Sequence, residues 1–109
     1  LRESGVIAKE VALLNRDMVG ETFFVTVYFE TDGVEIYKDF MERMRQHPEV
    51  GQCYHISGDG DFLLVVHTPT LRDYEAWGME HLMDHPNIRR FDTVVSYSCA
   101  KFDTAVVLR

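Results

Sequence analysis

His47-Pro48-Glu49-Val50, which returns in altered form as His85-Pro86-Asn87-Ile88, is the stretch from which the fold is read. A residue that precedes proline is pushed out of the helical region, so each His-Pro pair ends a helix. The β-branched residue two places further on opens a strand. Upstream of the first copy, Thr31-Asp32-Gly33 starts a helix, with Asp32 as the expected N-cap and Glu35 three residues later. Val34, Tyr37, Phe40, Met41 and Met44 make its apolar face, and Lys38, Asp39, Glu42 and Arg43 its polar one. Upstream of the second copy, Thr70 caps a helix with Asp73 three residues on. Leu71, Tyr74, Gly78 and Leu82 form the stripe to be buried there, flanked by Trp77, Met79 and Met83.

Strand patterns fill the spaces around these helices. From Glu21 to Glu30, Phe23, Val25, Val27 and Phe29 face one way and Phe24, Thr26 and Tyr28 the other. Val50 to Ser57 and Phe62 to Thr68 flank a four-residue hairpin connection at 58–61. Ile88 to Cys99 reads as a long strand and Thr104 to Leu108 as a short tail strand. Val6 to Leu14 reads as an earlier strand, closed by the turn signal Asn15-Arg16-Asp17. Repeat arrays need at least about three copies, so two copies mean one pseudo-symmetric domain. The order is that of a ferredoxin-like βαββαβ sandwich of the α+β class, an antiparallel sheet with two helices on one face. Phe23/Phe24 and Leu63/Leu64 put large residues on both sides of that sheet. The uncovered side is therefore expected to meet a second subunit in a dimeric, barrel-like arrangement.

A chain of 109 residues is one domain's worth, and 46% hydrophobic residues suffice for a core. No apolar run approaches the roughly 18 residues of a membrane span, and no signal-peptide pattern opens the chain, so a cytoplasmic protein with no membrane partner is expected. The formal charge of −7 argues against direct DNA binding. The basic clusters Arg43/Arg45 and Arg89-Arg90 are small and mixed with carboxylates. Cys53 and Cys99 both fall in strand-like segments and are expected as buried thiols rather than a disulfide.

Gly58-Asp59-Gly60-Asp61 carries the most chemistry. By pattern alone it is a hairpin turn with two solvated aspartates. Its functional reading is that amides beside glycines hold an α-carboxylate while Asp61 pairs with an α-ammonium. His81 and His85 share a helix face at i, i+4, but no third ligand follows at a recognisable spacing, so no metal and no cofactor are expected. His55 and His67, on adjacent strands, could face each other. Small dimeric enzymes such as cofactor-free monooxygenases and isomerases share this fold, and Tyr54, His55 and Asp61 could serve as acid–base groups. No nucleophile–base–orienter set appears, so an enzyme is the alternative and not the expectation.

The landmarks taken together resemble a known family. Leu1-Arg2-Glu3-Ser4-Gly5-Val6-Ile7 resembles the segment that follows the helix-turn-helix in Lrp/AsnC (feast/famine) transcription regulators. Pro48-Glu49-Val50, Tyr54 and Gly58-Asp59-Gly60-Asp61-Phe62-Leu63-Leu64 resemble that family's signature, and Thr93-Val94-Val95 its final core strand. The resemblance implies an effector-binding and oligomerisation domain over 16–109. Residues 1–15 would be a linker strand after a helix-turn-helix that this chain lacks, and DNA would be met only through that module. It further implies a homodimer assembling into tetramers or octamers, with a small molecule, usually an amino acid, held between dimers. Carried over by position, the effector site is Tyr54, Ser57, Gly58, Asp59, Gly60 and Asp61 with Thr93, Val94, Val95 and Ser96.

Overall fold

The computed structural model describes residues 20–107 of the chain. The strand and turn expected over 6–17, and the Leu108 end of the tail strand, lie outside the described residues. The elements run β1 (Glu21–Phe29), α1 (Val34–Gln46), β2 (Val50–His55), β3 (Phe62–Thr68), α2 (Leu71–Gly78), a π-helical turn (Met79–Met83) and β4 (Ile88–Val95). The sheet order is β2-β3-β1-β4, and each neighbouring pair is antiparallel. This is the βαββαβ plan that the His-Pro repeat implies.

The period-two alternation of β1 decides which side is inside. Phe23, Val25, Val27 and Phe29 are buried and meet Phe62, Leu64 and Val66 of β3 beneath Phe40, Met44, Tyr74, Trp77 and Leu82 of the helical layer. Phe23 stacks on Tyr74 at 4.3 Å, and Phe29 lies edge-on to Phe40 at 5.2 Å. The opposite side keeps Phe24, Tyr54 and Val94 exposed.

Several local expectations are corrected. Asp32 does not cap α1: the N-cap is Gly33, with no side-chain bond, and Glu35 merely adds a negative charge to the first turn. Thr70 does cap α2, its Oγ1 accepting from the Asp73 amide at 3.1 Å. Val34 and Leu71, in the first turn of each helix, are exposed, while Ile36 packs against the core instead. Met79 and Met83 are exposed on the π-helical turn, where the wider winding shifts the face that Leu82 buries. β2 stops at His55, where the Ile56 amide bonds to the Asp61 carbonyl and closes the hairpin. β4 stops at Val95. Its last contact is the Ser96 amide on the Thr22 carbonyl, beyond which β1 offers almost no partner. Cys99 is therefore not in a strand but exposed, whereas Cys53 is half-buried; both are free thiols. Residues 104–107 form no strand among the described residues.

Candidate functional site

The 58–61 turn is held against the end of β1. The Asp61 amide donates to the Val27 carbonyl at 2.9 Å. The Asp61 carboxylate is used twice: Oδ2 accepts from the Phe29 amide at 2.7 Å and Oδ1 from the Tyr37 hydroxyl at 2.7 Å. That bond, together with burial, pushes the Tyr37 hydroxyl up to about 12. Asp61 thus ties the hairpin to β1 and α1, and its two oxygens already have partners.

The two glycines of the turn answer different demands. Gly58 has φ of 97°, a left-handed conformation that side chains disfavour, in open space. Gly60 is buried, and a Cβ there would lie 2.5 Å from Thr26 Cγ2. Beside Gly60 lies Tyr28, whose Cε2 would be 3.8 Å from the same Cβ. Asp59, Ser57 and Gly58 are exposed at the tip. Tyr54 is also exposed, its hydroxyl donating to Gln52 Oε1 at 2.9 Å.

Thr93 to Ser96 lie across β1 from this group. Thr93 pairs with Val25 and Val95 with Phe23, whereas the turn bonds to Val27. Two to four residues along the strand separate these positions, roughly 7–13 Å. Thr93 points to the helical side, where its hydroxyl meets that of Tyr74, while Val94 is exposed on the uncovered side. Ser96 donates to the Ser98 carbonyl at 3.2 Å and helps line a cavity of about 960 Å³ over Thr22, Phe24, Gln52 and Val65.

A feature beside the turn has no counterpart in the sequence reading. The pairing of β1 with β4 slips between Tyr28↔Arg90 and Phe29↔Ile88, so Arg89 is an inserted residue in a β-bulge. Neighbours on a regular strand point to opposite faces. Here the guanidinium carbons of Arg90 and Arg89 both lie over the Tyr28 ring, at 4.2 and 5.6 Å. The Tyr28 hydroxyl and then Asp92 hold the Arg90 guanidinium above its ordinary range, with a smaller contribution from Asp59 of the turn. Two adjacent arginines were the only signal in the sequence, and no periodicity reveals a bulge.

The histidines are dispersed. His55 and His67 do not face each other: His55 pairs with Phe62 and stacks on it at 4.8 Å, while His67 Nδ1 lies 3.1 Å from Thr22 Oγ1 at the other end of β3. The trio imagined for acid–base work is likewise apart in function. Asp61 is committed to Phe29 and Tyr37, and Tyr54 to Gln52. His81 packs on His47 at 4.1 Å, whereas His85 Nδ1 accepts from the Asn87 amide at 3.1 Å. Among the described residues, no three potential metal ligands converge.

The family model described as the Lrp/AsnC ligand binding domain matches residues 22–106. An HTH-type transcriptional regulator of Haemophilus influenzae is 34% identical over 110 residues, covering 99% of this chain and 66% of its own length. The crystal structure of an AsnC family transcriptional regulator from Agrobacterium tumefaciens is 26% identical with a TM-score of 0.75, covering 93% of this chain and 72% of that one. A transcriptional regulator from Neisseria meningitidis, solved as a complex with L-methionine, has the same TM-score at 17% identity, over 92% of this chain and 72% of that one. This chain thus spans about two thirds of the curated regulator's length. The first two are similar to it as transcriptional regulators, and the third is similar in fold.

Proposed function

Because the chain belongs to the Lrp/AsnC family as a ligand-binding domain, we propose that it senses a small molecule, an amino acid, between dimers and transmits that binding by changing how the dimers assemble. One observation carries the reading: β1 lies between the two groups of expected site residues, with Thr93–Val95 on β4 pairing with Val25 to Phe23 and the turn bonding to Val27 from the β3 side. Tyr54 and Ser57–Asp61 from one copy and Thr93–Ser96 from another would complete a site only on assembly. The exposed Phe24, Tyr54 and Val94 supply an apolar face for a second copy. The methionine held by the Neisseria protein supports an amino acid as the class of effector. Residues 1–15 would connect to a helix-turn-helix through which DNA is bound in the cytoplasm. No helix among the described residues is long and apolar enough to cross a membrane.

An effector changes assembly only if it binds one assembly state better than another. Light scattering with and without each common amino acid, paired with calorimetry, tests this. The expected result is a dimer or larger species whose mass shifts with at least one amino acid. A mass that never shifts, with no heat of binding to any of them, would overturn the proposal.

A further inference from the structure

The bulge at Arg89 places two guanidinium groups over one aromatic ring at the edge of the 58–61 turn. A regular β4 would send Arg89 to the opposite side from Arg90. Such bulges re-aim side chains, and they concentrate near functional sites. Tyr28 lies near both features: its Cε2 would be 3.8 Å from a Cβ at Gly60, and both arginines lie over its ring. Among the described residues, Arg90 meets the Tyr28 hydroxyl and, loosely at 3.7 Å, Asp92, and Arg89 meets the Tyr28 ring. In a chain of formal charge −7, this concentration of positive charge suits a small anion better than a polyanion.

Asp61, the residue first expected to meet the effector's ammonium, already accepts one hydrogen bond on each oxygen from within the chain. Asp59, at the tip of the turn, is exposed and adds a small attraction to the Arg90 guanidinium. A guanidinium and a carboxylate in one region suit the two charges of a zwitterion.

We propose that Arg90, with Arg89 beside it over the Tyr28 ring, receives the carboxylate of the effector. The guanidinium fork matches a carboxylate in two-point geometry, and the aromatic ring holds the fork flat and pre-oriented. This rests on the amino-acid-sensing reading above and extends it to a residue pair outside the expected site.

Calorimetry of the whole chain with the common L-amino acids, and with the α-amide of each one that binds, provides the test. Arg90→Gln removes the charge at an exposed position, and Arg89→Gln tests the second guanidinium; thermal melts establish that both variants fold. The wild-type protein is expected to prefer the acid over its amide by at least about tenfold, the usual worth of a charge-assisted contact. Arg90→Gln should erase that preference, Arg89→Gln should reduce it, and Arg90→Lys, which keeps charge but not the fork, should restore it only in part. An acid–amide preference that survives unchanged in folded Arg90→Gln overturns this inference and leaves amino-acid sensing standing. Absence of binding by any amino acid to the wild type overturns both.

Discussion

Asp61 accepts from the Phe29 amide and from the Tyr37 hydroxyl, so removing its carboxylate strands two partly buried donors. Asp61→Ala is expected to cost about 2 kcal/mol, since bonds to a charged acceptor are worth more than neutral ones. For a domain of this size that lowers Tm by roughly 10 °C, measurable by calorimetry or circular dichroism. Tyr37→Phe should cost less, because Asp61 keeps the Phe29 bond. The Tyr37 hydroxyl should return toward its ordinary value of 10.0 in Asp61→Ala, followed by ultraviolet titration. An unchanged Tm would show that the carboxylate does not hold the turn. Position 61 was legible in the sequence as a notable aspartate beside glycines. Its partners were not, because Phe29 and Tyr37 lie far along the chain and only folding brings their donors to one carboxylate.

The two helices, alike in the sequence, start differently. Thr70 accepts from the Asp73 amide, and its hydroxyl donates to Asp73 Oδ2 at 2.9 Å, a reciprocal cap on a helix of only eight residues. Thr70→Ala should cost roughly 1 kcal/mol, a typical cap loss. Asp32→Ala should leave stability nearly unchanged, since α1 has no side-chain cap. Urea melts of the two variants separate the cases, and equal losses would contradict the difference. Both starts fit the same cap spacing by sequence, and backbone geometry at Gly33 and Thr70 distinguishes them. The same holds at the helix ends. His47-Pro48 and His85-Pro86 both mark the stop, but the π-helical turn at Met79–Met83, which buries Leu82 and leaves both methionines exposed, has no local signature.

Across the whole molecule, the ends of both helices gather half-buried imidazoles. Burial, then the neighbouring His81, lowers His47 below its ordinary value of 6.5, against the opposing pull of Glu49 and Glu80. Burial, then Arg43, lowers His85, opposed by Asp39. Well above pH 6.5 both rings are neutral, folded or unfolded, and their contribution is constant. As pH falls below that value the unfolded chain takes up protons that the folded one resists, so stability drops through the lowered folded-state range. Tm is expected to decline between pH 7 and 5, and His47→Gln should flatten the decline; a slope unaltered in that variant would assign the effect elsewhere. Local pattern determined by itself the element order, the inner face of β1 and the position of the turn, because period, proline and glycine act on neighbours along the chain. Tertiary structure alone decided that Asp61 is a tie, that β1 lies between Thr93–Ser96 and the turn, and that a bulge gathers Arg89 and Arg90 over Tyr28. Those outcomes depend on strand register and on contacts between distant residues, which are fixed only when the sheet closes against its helices.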